Sequence, residues 1–300
     1  MKRIVILGGG TFAPIRNHLS LCAPAFGGTA RRLTELFTAE LEATGQREMY
    51  SVECVLTRMA DPASRLETNE DVAAFVDTLV ADPTVRCIVF NAALADYVGQ
   101  IGDVEPGKHA QRMLTSEGTV QVTLTPADKV IGRIRRERKD IFLVGFKTTT
   151  GATPDEQYAR ALGLLKNNSL NLVLANDTVT RHNLIAAPEE TTYCPTHERE
   201  DVLAFLTRMT VSRMGNHFTR STVVEGTAVD WNSDAVPDNL REVVNHCIAE
   251  GAYKPVLGKT AGHFAVKHTD GDILTSIRKT NYNALPDIGL VRVQSKNDDE

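Results

Sequence analysis

Residues 141–177 constrain the fold of this 300-residue chain more than any other stretch. Two short apolar runs, Ile141 to Phe146 and Leu172 to Ala175, flank a segment whose apolar residues recur at helical spacing. That pattern is a strand–helix–strand crossover, the unit that joins neighbouring parallel strands. It sets Phe146, Lys147, Asn176 and Asp177 at the carboxyl ends of their strands, the edge where open parallel sheets bind ligands. Two other apolar runs end in the same way. Ile4–Leu7 runs into Gly8-Gly9-Gly10-Thr11, and Ile88–Phe90 runs into Asn91-Ala92-Ala93-Leu94-Ala95-Asp96-Tyr97.

The alternation continues through most of the chain. A helix is expected from about Thr29 to Ala43, with Ala30, Leu33, Leu36, Phe37 and Leu41 on its buried face. A strand over 51–56 and a helix carrying Val72, Phe75, Val76, Leu79 and Val80 follow. Strand 85–90 is apolar throughout, as a strand covered on both faces should be. Strand 120–124 alternates instead, which suits an edge or a hairpin. Pro126 suits the first turn of a helix over 126–138. The basic end of that helix, Arg135 to Lys139, is either a favourable helix terminus or a nucleic-acid patch, and the first is the commoner case. The sum is a doubly wound, mainly parallel α/β sheet of Rossmann-like type with helices on both faces.

Beyond Asn176 the pattern changes. Short strands at 184–187 and 191–193, a helix over 199–212 and a strand at 221–224 complete a first domain, residues 1–230. The composition shift at Trp231–Asp238 marks a boundary, and residues 236–300 form a small α+β extension. One helix (239–250) and a hairpin turning at Asp270-Gly271 are expected there.

Composition excludes several classes. A net charge of -5 without a long basic block argues against a general nucleic-acid surface. No apolar run approaches the roughly 20 residues of a membrane span, and the opening Met1–Gly8 reads as a buried strand without a signal peptide's cleavage region. Five cysteines without paired spacing fit reduced thiols and a cytoplasmic setting. The eight histidines show no metal-ligand spacing, and Gly-x-Ser-x-Gly is absent.

At the sheet edge, Gly8, Gly9, Gly10 and Thr11 offer backbone amides to an anion, or form only a tight turn. Gly27-Gly28-Thr29 leaves helix amides for phosphate, or is simply a cap. Ala92 and Ala93 allow a flat ligand close to the backbone, and Asp96 accepts from ribose hydroxyls or base N–H groups unless it only shapes a turn. Phe146 can stack on a base, Lys147 can neutralise a phosphate or snorkel, and Asn176 closes the crossover.

These residues, in this order, resemble the phosphopantothenate–cysteine ligase family over roughly residues 1–225. The motifs are Gly9-Gly10-Thr11, Ala92-Ala93-Leu94-Ala95-Asp96-Tyr97, Arg112-Met113-Leu114-Thr115-Ser116, Asp128-Lys129-Val130-Ile131, Phe146-Lys147-Thr148-Thr149-Thr150 and Ala175-Asn176-Asp177. Several positions depart from the family pattern. Arg112 stands for a lysine, Thr149 for a glutamate, and a further family lysine is displaced to Lys166. The family's Arg-x-x-x-Asn and Ser-Ser-Gly are replaced by 14–19 and 24–28. Residues 240–293 resemble the opening of class II aldolase domains without the later metal-binding histidines. They either serve as a dimerisation or packing element, or bring His263, Lys267, Arg278 and Lys279 to a substrate.

The resemblance implies a CTP- or ATP-dependent ligase that forms an amide through an acyl-nucleotide and releases pyrophosphate. It implies Mg²⁺ on the phosphates, small-molecule acid and amine substrates, a homodimer, and neither nucleic acid nor membrane as partner. Arg112 and Lys147 would serve the phosphates, with Lys129, Lys166 and the Gly8–Thr11 amides. Asp96, Phe146, Ala92, Ala93 and Asn176 would hold the nucleoside, while Arg16, Asn17 and His18 would meet the carboxylate. The alternatives are a transferase or flavin-dependent redox protein on the same sheet edge, or a nucleotide sensor without turnover.

Overall fold

The computed structural model describes residues 1–215, 226–253, 263–267, 271–277 and 281–293. The chain divides into two compact units, Met1–Arg220 and Ser221–Glu300.

The first unit opens with β1 (Lys2–Gly8), a short antiparallel ribbon of β2 (Phe12–Arg16) and β3 (Leu19–Cys22), and helix α1 (Gly28–Ala43). Strand β4 (Tyr50–Leu56), helix α2 (Asn69–Ala81) and strand β5 (Val85–Phe90) follow. Thr68 and Asp71 close the start of α2 with a reciprocal capping box, which satisfies two amides that the helix cannot. A second ribbon pairs β6 (Tyr97–Gln100) with β7 (Thr123–Pro126). Then come α3 (Ile131–Glu137), β8 (Phe142–Thr149), α4 (Pro154–Asn168), β9 (Leu172–Asp177), β10 (Asn183–Ala186), β11 (Thr192–Thr196) and α5 (Arg199–Met214).

The main sheet has the order β11-β10-β9-β8-β5-β1-β4. Its five strands from β9 to β4 are parallel, and β10 and β11 add an antiparallel edge. This is the doubly wound α/β, Rossmann-like architecture expected from the strand–helix alternation. Side chains alternate across each strand, so one face packs Ile4, Ile6, Val144 and Leu174 against Leu33 and Phe37 of α1 and Leu206 of α5. The other packs Val5, Leu7, Leu143 and Val173 against Val76 of α2, Ile134 of α3 and Leu165 of α4.

Two expected elements move. The alternating strand lies at Thr123–Pro126 in the two-stranded ribbon, rather than at 120–124. Pro126 pairs with Tyr97 as the last residue of that strand, so the helix starts five residues later at Ile131. The basic run is mostly structural. Arg135 donates to the carbonyls of Ser169 and Ile141, and Arg138 to those of Val80, Asp82 and Val85 and to Asp140.

The second unit pairs β12 (Thr227–Val229) with a later strand, and carries helix α6 (Asp238–Ala249) and hairpin strands β13 (Ala265–Lys267) and β14 (Ile273–Ser276). The short helix α7 (Leu285–Ile288) leads into β15 (Leu290–Val293), and the sheet order is β12-β15-β14-β13. The unit boundary precedes the composition shift because Trp231 and Val236 lie in this unit's own core, with Leu240, Leu274, Tyr282 and Leu290. The expected strand 221–224 and the residues Asp270, Arg278 and Lys279 lie outside the described residues. His263 and Lys267 are exposed.

Candidate ligand cleft at the carboxyl edge of the sheet

A cleft of about 310 Å³ opens at the carboxyl edge of the parallel strands. Its floor is Gly9 and Asn91–Ala93 at the ends of β1 and β5, one wall is Phe146, Thr148 and Asn176, and the other is the chain from Pro24 to Thr29. The strand alternation explains this selection. Phe146, Thr148 and Asn176 fall on the α1/α5 face, in register with Val144 and Leu174.

The 23–29 segment is held down by the glycine loop. Gly10 N–H donates to the carbonyl of Ala25 at 2.8 Å, and Ala23 N–H to that of Thr11 at 3.1 Å. A Cβ on Gly10 would stand 1.9 Å from the carbonyl oxygen of Ala23, so only glycine admits this approach. Below it, Thr11 is fully buried. Its hydroxyl donates to Asn69 Oδ1 at 2.6 Å and accepts from the Ala95 N–H at 3.0 Å, while Asn69 Nδ2 donates to the Ala95 carbonyl at 2.8 Å. This network fastens the ends of β1 and β5 to the start of α2.

Helix α1 enters the cleft without a side-chain cap. Gly27 takes a left-handed conformation (φ 74°) as N-cap, and Gly28 and Thr29 begin the helix with amides that have no intrahelical acceptor. Arg199, at the start of α5, also lines the cleft. It is half-buried, and its Nη1 donates to Asn183 Oδ1 at 3.0 Å and Nη2 to Thr29 Oγ1 at 3.4 Å. Burial lowers its pKa, against a smaller opposing effect of Glu200. Sequence reasoning missed Arg199, because its partners lie 16 and 170 residues away.

Several expected site residues are placed elsewhere. Arg16 is 4 % exposed and donates to the carbonyls of Ile15 (3.0 Å) and Ile101 (2.6 Å), so it clips the 101–104 loop rather than meeting a carboxylate. Asn17 and His18 sit exposed in the β2–β3 turn and bond each other. The amides of Gly10 and Thr11 are engaged by Ala25 and Ala93, and so are not free for phosphate. Gly8 serves packing, since a Cβ there would lie 2.3 Å from Ala30 Cβ. Lys166 pairs with Glu190 at the far end of α4, which runs back to the amino edge of the sheet. Thr149, in place of the family glutamate, is buried and donates to Asp177 at 2.8 Å.

Lys147 lies on the opposite face of β8 from Phe146, half-buried in register with Leu143. Asp96 and Lys129 form an exposed ion pair of 2.5 Å. Lys129 also borders a second hollow of about 510 Å³ beside Arg133, Arg136 and Asn167–Ser169. Arg112 is exposed in the loop between β6 and β7. Asp177 supports the cleft from behind. Burial opposes its charge, but donors from Thr180, Ala152, Thr149 and Val179 prevail and hold its carboxyl well below the usual range.

A doubly wound α/β sheet with a glycine-floored cleft at its carboxyl edge is a common setting for ligand sites, and the comparisons with known proteins bear on which family it resembles. Residues 57–194 match the family described as the DNA/pantothenate metabolism flavoprotein C-terminal domain. The coenzyme A biosynthesis bifunctional protein CoaBC of Thermococcus kodakarensis is 25% identical over 179 residues, 58% of this chain and 41% of that protein. The match thus spans about two fifths of that relative's length. The DNA/pantothenate metabolism flavoprotein from Streptococcus pneumoniae has a similar fold, with a TM-score of 0.56 at 18% identity over 71% of this chain and 99% of that one. A CoaBC C-terminal domain aligns with a TM-score of 0.48 at 16% identity, covering 72% of this chain and 97% of that chain. Over residues 57–194, a little under half of the chain, the sequence is thus similar to this family, and the fold agrees with that of the Streptococcus pneumoniae protein.

Proposed function

We propose that this protein is a nucleotide-dependent ligase of coenzyme A biosynthesis that joins a carboxylic acid to an amine, as phosphopantothenate–cysteine ligases do. One observation carries the reading. The cleft gathers Gly9, Ala92, Ala93, Phe146 and Asn176 from four separate stretches, and three of these stretches lie inside the family segment. Ala92 and Ala93 leave room for a flat ring, Phe146 offers it an aromatic face, and Asn176 offers it both a donor and acceptors.

In this reading the carboxylate of the acid attacks the α-phosphate of CTP or ATP and displaces pyrophosphate. The amine then attacks the acyl-nucleotide and releases the nucleoside monophosphate. Negative charge builds on phosphorus oxygens in the first step, where preorganised cations and amides are most effective. The resemblance gives this role to Lys147, Lys129 and Arg112 and the ribose to Asp96; none of the four is among the residues that line the cleft, so in this reading the nucleotide extends beyond the cleft to reach them. Among the described residues no group of three or more His, Cys, Asp or Glu gathers to hold a metal. In this reading Mg²⁺ bridges the nucleotide's own phosphates, whose charge it neutralises. The proposed assembly is a homodimer.

Pyrophosphate release separates the readings. With phosphopantothenate and cysteine, release from CTP or ATP that depends on the acid supports the ligase. Tight nucleotide binding without release under any acid and amine tested supports a sensor, and a bound flavin in the purified protein supports a redox role.

A further inference from the structure

Arg199 differs from the other sequestered arginines of the first unit. Arg16 directs its donors to main-chain carbonyls, Arg135 to main-chain carbonyls and to Asn171 Oδ1, and Arg138 adds the carboxylate of Asp140. Among the described residues, Arg199 bonds neither a main-chain carbonyl nor a carboxylate. Both of its bonded partners, Asn183 and Thr29, are neutral side chains. Its sequence neighbour Glu200 is turned to Arg32 at 2.8 Å instead. Among the described residues no carboxylate forms an ion pair with Arg199. Withdrawing a charge from water with only the longer-range attraction of Glu200 to offset it is costly, and a ligand of opposite charge would complete such a group.

Geometry says what kind of ligand. A guanidinium carries five N–H donors in a planar fork, and two of them are engaged here. Asn183 and Thr29 hold the fork at the wall of the cleft, and Thr29 belongs to the uncapped first turn of α1. A Cβ on Gly28 would meet nothing within 4 Å, so the space beside that turn is open. A planar fork beside free helix amides matches a tetrahedral oxyanion with several acceptor oxygens.

Building on the ligase reading, we propose that Arg199, with the amides of Gly28 and Thr29, binds a phosphate group in this cleft. That phosphate is carried either by the nucleotide or by a phosphorylated acid substrate. Arg199 thereby sets preference for phosphorylated ligands over their unphosphorylated forms. Asn183 acts as a positioning residue through Arg199.

The test uses the full chain and the variants Arg199→Gln and Arg199→Lys, with folding checked by circular dichroism. Calorimetry compares CTP with cytidine, ATP with adenosine, phosphopantothenate with pantothenate, and pyrophosphate alone. Arg199→Gln is expected to weaken the phosphorylated member of one pair by about tenfold, as loss of a charged hydrogen bond implies, and to leave the unphosphorylated member unchanged. A loss confined to the nucleotide pairs places the phosphate on the nucleotide, and one confined to phosphopantothenate places it on the acid. Arg199→Lys, which keeps the charge and loses the fork, is expected to fall between, and it carries the test if the glutamine variant melts early. Equal loss for both members of every pair, or unchanged affinity of Arg199→Gln for every phosphorylated ligand that the wild type binds, overturns the proposal and leaves the ligase reading standing. Binding of pyrophosphate but of neither nucleotide, lost in Arg199→Gln, supports the phosphate site and refutes the nucleotide reading. No binding of any of these ligands by the wild type overturns both.

Discussion

Asn69→Leu should cost the first unit about 2–4 kcal/mol, because it breaks the network beneath the cleft at its centre. Asn69 is 8 % exposed, accepts from the Thr11 hydroxyl, and donates to the carbonyl of Ala95. Leucine has similar volume but neither group. The Ala95 carbonyl then loses its side-chain donor, and an unmet buried polar group costs about 1–3 kcal/mol. The Thr11 hydroxyl still accepts from the Ala95 N–H, but as a donor it retains only the Ala93 carbonyl at 3.5 Å, a weak contact, so a second and smaller penalty adds. For a unit of this size the sum corresponds to a fall in Tm of roughly 5–15 °C. Far-UV circular dichroism follows this unit, which holds most of the helix, while the single tryptophan, Trp231, lies in the core of the second and gives an internal control by fluorescence. The double variant Thr11→Val/Asn69→Leu should lose less than the two single losses summed, since it removes partner and orphan together. A loss under about 0.5 kcal/mol for Asn69→Leu would refute the account of how the glycine loop is held.

Three further outcomes follow from single residues. The Asp177 carboxyl titrates below its ordinary value of about 3.9, so its contribution is complete above that pH and is lost as pH falls toward the folded-state value. Asp177→Asn should therefore lower the urea midpoint at pH 7, and a gap from wild type that fails to narrow at pH 3 contradicts this. Asp96→Ala should weaken nucleotide affinity in calorimetry, yet change stability by no more than about 1 kcal/mol, since its ion pair with Lys129 is exposed. Lys166→Ala should leave nucleotide affinity within about twofold, because its exposed pair with Glu190 stands at the opposite edge of the sheet and contributes little.

The parallel core was legible because buried strands such as Val85–Phe90 are continuous apolar runs and the helices between them carry a 3.6-residue stripe. Phe146 and Asn176 were legible as strand ends for the same reason. Lys147 was not separable from Phe146 in a linear reading, but the alternation of the strand sends the two side chains to opposite faces. Pro126 suits a helix start and a strand end equally in isolation, and its pairing with Tyr97 decides between them. Long-range contacts govern the rest. Nothing near Arg16 in sequence announces the carbonyl of Ile101, and nothing near Arg199 announces Asn183 and Thr29. Both arginines look like ordinary surface cations until the chain is closed, and one then proves structural while the other lines the cleft.

If a nucleotide occupies this cleft, filling the cleft with a side chain must abolish its binding. Thr148 is exposed and lines the wall beside Phe146, so Thr148→Trp fills the space from a position that the core does not need. Calorimetric titration of CTP and ATP should show one site per chain in the wild type and no measurable binding in Thr148→Trp at unchanged Tm. Wild-type affinity retained by Thr148→Trp, or no heat from either nucleotide with the wild type, would show that no nucleotide binds in this cleft.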